Sequence, residues 1–352
     1  METIRDNAAY PPDRLNEDWR FGRPHEHAKR LLALINEQNG LAGELTTNNQ
    51  AESEAITLNT TGATSDDFAS IGSEYLVQQA LNKKGYSICL NLSTSSSTEK
   101  PFLIRCEAKG FMLASMKIVV EPGVSAHIVE EHAHYGDSVL MCLRQYTVMP
   151  GASLTLELRE KGSGKSSALN ITRLNCVGNA QARCISTHKD HIWAREETSA
   201  ELTPRGEDAP ELLLLSANHL TGTQWLDQRT RQLHTGPGGR SRLLYKNVVD
   251  ERATAIFGGN IRVEPGAHDT DAYLSNLNMT LSERSTVHSL PGLEILADRV
   301  RCSHGSATAP MDEEQLFYLL SRGIGNATAR GMLAEGFLAD VWHKFRSTAV
   351  QG

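Results

Sequence analysis

The fold is decided by the pattern of residues 149–159, which run Met-Pro-Gly-Ala-Ser-Leu-Thr-Leu-Glu-Leu-Arg. Leu154, Leu156 and Leu158 alternate with polar or charged residues, which is the pattern of a strand with one buried face. The Pro-Gly pair that precedes them is typical of a tight turn, because proline fixes one turn dihedral and glycine tolerates a positive φ at the next position. The sequence therefore predicts a turn that leads directly into an amphipathic strand.

The same corner recurs at residues 121–124 (Glu-Pro-Gly-Val) and 264–267 (Glu-Pro-Gly-Ala), each time after a strand end that contains valine. Between residues 56 and 303 the pattern predicts strands of about four to six residues and no convincing amphipathic helix. A barrel, a pair of sandwiches, a propeller and a β-helix all fit such a series. The repeated corner favours the solenoid, because stacked coils turn at equivalent positions.

Helical patterns flank this region, so we predict three parts: a helical segment and linker over residues 1–55, a β core over 56–305 and a helical segment over 306–352. The first part contains one helical pattern, from Glu26 to about Asn36, and a polar linker from Thr46 to Ser53. In the last part, Asp312 and Gln315 have the spacing of a capping box at the start of a helix.

That C-terminal helix is predicted to end near Gly323, and a second helix to begin near Asn326. The apolar residues of the second helix lie four apart and define one stripe: Leu333, Phe337, Val341 and Phe345.

The charge of the chain disfavours a nucleic-acid-binding role. Its formal net charge is -7 and its pI is about 6.0, whereas phosphate binding needs clustered lysine and arginine. No apolar run approaches the roughly 20 residues of a membrane span, and the N-terminal residues lack the apolar core of a signal peptide. We therefore expect a cytoplasmic protein that contacts neither nucleic acid nor membrane.

Two residues near the end of the β region carry metal-ligand chemistry. The six cysteines are irregularly spaced and include no Cys-x-x-Cys pair, which disfavours a self-contained zinc or cluster site. Cys302 and His304, however, are two apart, so on a strand they share a face, and a thiolate and an imidazole can bind iron. Two ligands make half a site, so the others must come from another segment or another chain. A buried cysteine beside an ordinary histidine is the alternative.

The remaining polar motifs are weaker candidates. Residues 162–167 (Gly-Ser-Gly-Lys-Ser-Ser) lack the upstream glycine of a phosphate-binding loop, since Arg159 holds that position, and we predict a polar corner. Residues 130–134 (Glu-Glu-His-Ala-His) could ligate a metal, but we predict a solvated loop, and we expect no function for His188 and His191. No Gly-x-Ser-x-Gly or dinucleotide-binding fingerprint is present, so we expect a protein without catalytic activity of its own.

Several ordered blocks resemble the SufB/SufD family. Residues 291–305 (Pro-Gly-Leu-Glu-Ile-Leu-Ala-Asp-Arg-Val-Arg-Cys-Ser-His-Gly) and 312–324 (Asp-Glu-Glu-Gln-Leu-Phe-Tyr-Leu-Leu-Ser-Arg-Gly-Ile) are similar to its signature. Residues 241–250 and 257–263 match further blocks, and residues 16–21 (Asn-Glu-Asp-Trp-Arg-Phe) resemble the entry segment of SufD proteins. The Cys-Ser-His-Gly sequence looks like SufD, because SufB proteins tend to have a Glu-His-Glu type sequence there.

The resemblance implies a mainly β protein, a right-handed parallel β-helix (solenoid) with short N-terminal and C-terminal helical segments. It implies a SufD-like scaffold subunit for iron–sulfur cluster assembly that pairs with a SufB-like paralogue and docks a SufC-like ATPase. His304 and Cys302 would be the candidate half-site at the paralogue interface, with no cofactor of the chain's own and iron or a nascent cluster bound transiently. The ATPase would contact the first C-terminal helix, with six candidate residues: Asp312, Glu313, Gln315, Phe317, Tyr318 and Arg322.

Two alternatives stay open at this point. The chain could form a SufB-like homodimer that assembles the cluster itself, and a homodimer is also possible for a SufD-like chain in isolation. A β-helix enzyme that acts on polysaccharides is the second alternative, because such enzymes gather catalytic residues without a linear motif.

Overall fold

A computed structural model describes residue 33 and residues 43–47, 85–97 and 99–347 of the chain. These residues form strands along most of their length, followed by two C-terminal helices. The strands are β1 (Gly43–Thr47), β2 (Tyr86–Leu92), β3 (Phe102–Ala108), β4 (Phe111–Val120), β5 (Ser125–His134), β6 (Val139–Val148), β7 (Ser153–Lys161), β8 (Ser167–Val177), β9 (Gln181–Lys189), β10 (Trp193–Thr203), β11 (Glu211–Leu220), β12 (Trp225–His234), β13 (Arg240–Val249), β14 (Thr254–Val263), β15 (Asp271–Thr280), β16 (Thr286–Ile295) and β17 (Arg301–Pro310).

The strands stack as a parallel β-helix. Odd-numbered strands form one sheet in the order β1-β3-β5-β7-β9-β11-β13-β15-β17, and even-numbered strands form a second sheet in the order β16-β14-β12-β10-β8-β6-β4-β2. Each turn of the helix contributes one strand to each sheet, and hydrogen-bonded side chains of successive turns are typically 28 to 32 residues apart. Apart from β1, which pairs antiparallel with β3, neighbouring strands are parallel. The predicted parallel β-helix is confirmed.

The Pro-Gly corners lie at equivalent positions of their turns, where an even-numbered strand leads into the next odd-numbered one. At the 149–152 and 264–267 corners, the fourth residue donates its backbone N–H to the carbonyl of the first, at 3.0 Å and 3.1 Å. Gly151 and Gly266 have φ values of 73° and 87°, which favour glycine. The Ala152 and Ala267 side chains that follow are buried, so each corner aims the next strand into the interior.

The strands are longer than the predicted four to six residues, and most of those from β4 to β17 have ten. Their interior-facing side chains form one long core. At both ends of most strands that core is aliphatic, with residues such as Ile118, Leu140 and Leu274 fully buried. Its middle is polar over several turns, where buried charged side chains meet.

Two helices follow the last strand: α1 (Glu313–Ser321) and α2 (Asn326–Arg346). Val341 and Phe345 of α2 pack against Ile185, Leu213 and Leu215 on the outer side of the odd-numbered sheet. The predicted start of the second helix near Asn326 and its apolar stripe are confirmed. Leu316 of α1 packs instead with α2 and with the loop and strand end near residue 280.

The predicted segment boundaries differ from the observed elements at two places. Strand β17 runs to Pro310, past residue 305, and Thr46 and Thr47 belong to β1 although a linker was predicted there. The helix predicted near residues 26–36 lies outside the described residues, except for Ala33, which is helical. Neither described helix is both long and apolar enough to cross a lipid bilayer.

Candidate functional site

Strand β17 places Cys302 and His304 at the last turn of the β-helix. Cys302 pairs in register with Ala272, and His304 pairs with Leu274. Ala272 and Leu274 are fully buried interior residues, so Cys302 and His304 occupy interior positions of the final turn. The structure thus confirms that the two side chains share one face of a strand.

This final turn is open to solvent. Val263 is fully buried, whereas Ile295, its partner in register on β16, is 39% exposed. His304 is exposed although Leu274 below it is not. Among the described strands, none pairs with the outer edges of β16 and β17, which end the two sheets. Unpaired backbone groups and exposed apolar side chains of this kind are typical of surfaces that another chain covers.

The protonation state of Cys302 matters for metal binding, because the thiolate is the ligand. Partial burial raises the pKa of the Cys302 thiol above its ordinary value, and the Asp271 carboxylate adds to that effect against a backbone hydrogen bond from Ala272. A bound cation would therefore have to displace the thiol proton. Across the same turn, the Ser306 hydroxyl donates to Ser289 Oγ at 2.8 Å. Neither of the two groups of three potential ligands found among the described residues includes Cys302 or His304.

Helix α1 presents the predicted ATPase-binding residues on the surface. Asp312 caps the helix, and its Oδ1 accepts backbone hydrogen bonds from Glu314 at 2.9 Å and Gln315 at 3.1 Å. Phe317 is 72% exposed and Tyr318 is 56% exposed. Arg322 lies over the Tyr318 ring, 5.2 Å from its centroid. Glu313 is exposed in the first turn. An exposed phenylalanine beside a stacked Tyr–Arg pair is a surface typical of protein contacts.

A second group of titratable side chains lies inside the β-helix, where the sequence predicted a solvated loop. That prediction was wrong, because residues 130–134 belong to β5 and the Glu130, His132 and His134 side chains are buried. Alternate residues of a strand point the same way, so these three polar side chains enter the interior together. His188 and His191, for which no function was predicted, are also buried.

Glu130 and Arg144 form the centre of this interior cluster. Arg144 Nε donates to Glu130 Oε2 at 2.6 Å, and the Tyr146 hydroxyl donates to Glu130 Oε1. Burial on its own raises the pKa of Glu130, but the charge of Arg144 and hydrogen bonds from His132 and Tyr146 outweigh it and lower the pKa to about 2. Glu130 is therefore a carboxylate, held by a buried guanidinium.

Glu160, one turn further along, connects three histidines. Its Oε1 lies 2.5 Å from His132 Nδ1, and its Oε2 lies 3.1 Å from His134 Nε2 and 3.6 Å from His191 Nε2. Burial disfavours the charged forms of both His132 and Glu160. The ionic contact between them outweighs burial, so it raises the pKa of His132 well above its ordinary value and lowers the pKa of Glu160 well below its ordinary value. Burial lowers the pKa of His191 to about 4, which leaves its imidazole neutral.

Polar side chains continue from this cluster towards the open end. Glu196 Oε2 accepts from Gln228 Nε2 at 2.7 Å and lies 3.1 Å from His188 Nε2. Beyond it, equivalent positions of successive turns carry amides that bond to one another: Asn218 to Asn247 at 2.9 Å, Asn247 to Asn278 at 3.0 Å and Asn278 to Thr308 at 3.4 Å. The polar interior thus reaches the turn that carries Cys302 and His304.

One signal in the sequence could have located this interior cluster. Cys106, His132, Glu160 and His188 occupy one column of in-register positions, and their spacing of 26 to 28 residues is close to the spacing of the Pro-Gly corners at residues 122 and 150. By contrast, the 162–167 segment forms the turn between β7 and β8, as predicted, and no helix follows it.

Comparison with known proteins identifies the family. The SUF system FeS cluster assembly, SufBD core domain matches residues 102–337. A SufBD family protein of Synechocystis is 33% identical over 201 residues, which cover 57% of this chain and 44% of the relative. The iron–sulfur cluster assembly protein SufD of Escherichia coli is 37% identical over 125 residues, 36% of this chain and 30% of the relative.

A chloroplastic protein of Arabidopsis thaliana, ABCI7, is 39% identical over 129 residues, 36% of this chain and 27% of the relative. The chain therefore spans less than half the length of each of these three relatives. The match to the core domain covers more than half of the chain, including the β-helix from β3 to β17, all of α1 and part of α2. The chain therefore belongs to the SufBD family of iron–sulfur cluster assembly proteins.

Proposed function

We propose that the chain is a SufD-like scaffold subunit, which pairs with a SufB-like paralogue through the open end of its β-helix and docks a SufC-like ATPase on α1. The observation that supports this proposal is the last turn, where Cys302 and His304 lie on β17 and no described strand pairs with the outer edges of β16 and β17. The similarity to the SufD protein of Escherichia coli supports the assignment to the SufD branch.

Strand pairing explains how a partner would recognise this end. The outermost backbone N–H and C=O groups of β16 and β17 can bond to strands of a second β-helix, which is the physics of β-augmentation. Ile295, which is 39% exposed, and Leu296, which is 52% exposed, would be buried in such a contact. The partner would then stand directly opposite His304 and could supply the ligands that the half-site lacks.

The chain would have no cofactor of its own and no catalytic activity alone. Iron or a nascent cluster is the cargo of the assembly, bound transiently where His304 and Cys302 face the paralogue. We suggest that ATP-driven closure of two SufC-like subunits strains the heterodimer and opens this interface. The cytoplasmic location stays a prediction.

Removing the half-site should impair cluster assembly. In a complex reconstituted with a SufB-like and a SufC-like protein, we expect His304→Ala to lower the initial rate of cluster formation at least about tenfold, because even the loss of an outer-shell partner costs about 10–100-fold in metal sites. Cys302→Ala should have a smaller effect, since Cys302 is half-buried against the core. Visible absorbance of the assembled cluster measures the rate.

His343→Ala is the matched control, because His343 is an exposed histidine on α2, away from β17. Size-exclusion chromatography establishes that each variant still joins the complex. Normal assembly by both the His304 and the Cys302 variants would contradict the assignment of the half-site.

The ATPase surface is tested by a pull-down. We expect Phe317→Ala combined with Tyr318→Ala to weaken retention of the SufC-like subunit at least about 30-fold, because aromatic anchors at the centre of an interface contribute about 2 kcal/mol or more. Tyr273→Ala is the control, since Tyr273 is 51% exposed on β15, outside α1. Equal retention by the double variant and the control would place the ATPase elsewhere.

A SufB-like homodimer is the competing function, since the same free edges could pair with a second copy of the chain. Analytical ultracentrifugation with and without a SufB-like partner separates the two: a heterodimer must form at the expense of any homodimer if our proposal is correct. The family match argues against the polysaccharide-active enzyme considered from the sequence.

A further inference from the structure

Three potential metal ligands converge beneath one corner of the β-helix. His134 ends β5, Glu160 lies on β7, and His191 lies in the turn between β9 and β10, so the group joins three successive turns. Their ligand atoms all lie within 4.8 Å of one another. All three residues are at most 5% exposed. The two imidazole rings meet edge to face, with centroids 4.6 Å apart.

The distances fit the edges of a coordination polyhedron. Metal–nitrogen and metal–oxygen bonds of about 2.0–2.2 Å at tetrahedral angles place neighbouring ligand atoms about 3.3–3.6 Å apart. Glu160 Oε2 lies 3.1 Å from His134 Nε2 and 3.6 Å from His191 Nε2. These two distances match the edges of a tetrahedral site to within a few tenths of an ångström, and all three ligand atoms lie within 4.8 Å of one another.

The second ring nitrogen of each histidine faces a serine. His191 Nδ1 lies 3.2 Å from Ser166 Oγ, and His134 Nδ1 lies 3.5 Å from Ser138 Oγ. A hydrogen bond from Nδ1–H to a hydroxyl selects the tautomer whose Nε2 lone pair is free, which is how metal-binding histidines are oriented. His191 Nε2 has no hydrogen-bond partner despite its burial, and a buried nitrogen without a partner is costly.

From this arrangement we infer that His134, Glu160 and His191 bind one divalent transition-metal ion, of the kind that two imidazoles and a carboxylate select, such as Zn²⁺ or Fe²⁺. The ion would satisfy His191 Nε2 and would be enclosed by protein. It would link β5, β7 and the turn before β10 and so stabilise the stack. This site is separate from Cys302 and His304, and it goes beyond the proposed function without depending on it.

A neighbouring triad is a poorer metal site. Glu130, His132 and Cys142 also bring their ligand atoms together, but Glu130 already accepts from Arg144 and Tyr146. The Arg144 guanidinium, 2.6 Å from Glu130 Oε2, is a fixed positive charge at that position and would repel a cation. It lies 4.0 Å from Glu160, and there it approaches Oε1 and not the Oε2 atom that faces His134 and His191. The His134 triad is therefore the better metal site, and Cys142 of the neighbouring triad provides a control position.

The test uses Co²⁺ as a spectroscopic probe and Zn²⁺ in calorimetry, with the full chain stripped of metal by a chelator. We expect one ion per chain, visible Co²⁺ absorption bands of a four-coordinate site, and a rise in melting temperature on adding Zn²⁺. His191→Ala and His134→Ala should abolish the bands. Ser166→Ala should weaken binding about 10–100-fold, because it removes only the orienting partner.

Cys142→Ser and the combined Cys302→Ala and His304→Ala variant are the controls, and both should bind as the wild-type chain does. Circular dichroism checks folding, and Ser166→Ala keeps the test decisive if the histidine variants do not fold. Absence of stoichiometric binding in the wild-type chain, or binding that is unchanged in Ser166→Ala and His191→Ala, would overturn the inference. Loss of binding in Cys142→Ser alone would transfer the site to the neighbouring triad.

Discussion

Replacing Arg144 with alanine should lower the free energy of unfolding by about 3–5 kcal/mol, because it leaves the Glu130 carboxylate buried without its counter-charge. Arg144 is 1% exposed and Glu130 is fully buried, and they meet at 2.6 Å. The low pKa of Glu130 depends on Arg144, so without Arg144 the group must either bind a proton or remain charged at high cost. Equilibrium unfolding in urea, followed by circular dichroism, measures the change.

Arg105→Ala is the matched control for Arg144→Ala. Arg105 forms an ion pair of similar length, 2.9 Å, with Glu131, the residue next to Glu130, but the two side chains are 54% and 37% exposed. An exposed pair contributes about 0–1 kcal/mol. The double variant Arg144→Met with Glu130→Gln should lose less stability than Arg144→Ala, since no charge stays uncompensated. Similar losses for Arg144→Ala and Arg105→Ala would contradict this account.

Acid should destabilise the β-helix by about 3 kcal/mol through His234 alone. Burial lowers the pKa of His234 from 6.5 to about 4, and each unit corresponds to about 1.4 kcal/mol. Because the pKa is lower in the folded chain, His234 takes up its proton at a higher pH in the unfolded chain than in the folded one. Stability is therefore unaffected by His234 above about pH 6.5 and falls as the pH drops towards about 4. His234 Nε2 lies 2.9 Å from Ser241 Oγ, and its Nδ1 has no hydrogen-bond partner among the described residues. Burial is the cause of the lowered pKa.

The measurement compares the free energy of unfolding at pH 7 and pH 4 for the wild-type chain and His234→Gln. Glutamine cannot take up a proton, so the difference between the two pH values should shrink by about 3 kcal/mol in the variant. His268→Gln, at an exposed histidine, should leave the difference unchanged. An identical acid dependence for His234→Gln and the wild-type chain would show that His234 is protonated at its ordinary pKa.

The β-helix could be predicted because the patterns that indicate its strands and turns lie within short stretches of sequence. Alternation at Leu154, Leu156 and Leu158 and the Pro-Gly pair before them depend only on strand geometry and turn dihedrals. Their repetition then implies stacked coils. The shared face of Cys302 and His304 followed from the same period of two residues. The cap at Asp312 was also visible, since helix N-termini have their own local chemistry.

The interior cluster was missed because it depends on register between distant turns, and the spacing of 26 to 28 residues from Cys106 to His132, Glu160 and His188 was its one trace in the sequence. A polar run such as Glu130 to His134 has the same pattern whether its side chains face water or an interior in which they find hydrogen-bond partners. Only the stacking brings Glu160 and Arg144 beside it. Since the turns differ in length, a column of in-register residues shows in the sequence only as an approximate spacing.

Strand lengths were underestimated for a related reason. Residues 212–215 are four consecutive leucines, all buried. Leu213 and Leu215 face α2, and Leu212 and Leu214 face the core. A strand covered on both faces loses its alternation, so the pattern that marks the ends of exposed strands is missing there.

The open last turn also affects how the molecule behaves as a stack of coils. In a solenoid each coil interacts only with its neighbours, so stability is close to a sum over adjacent pairs. The β16–β17 coil has a neighbour on one side alone among the described strands, and it can separate from the stack while the coils behind it stay intact. If a partner binds there as we propose, it would take the place of a neighbouring coil. Association and the ordering of this terminal coil would then be thermodynamically linked, and the region that carries His304 would be most rigid in the assembled complex.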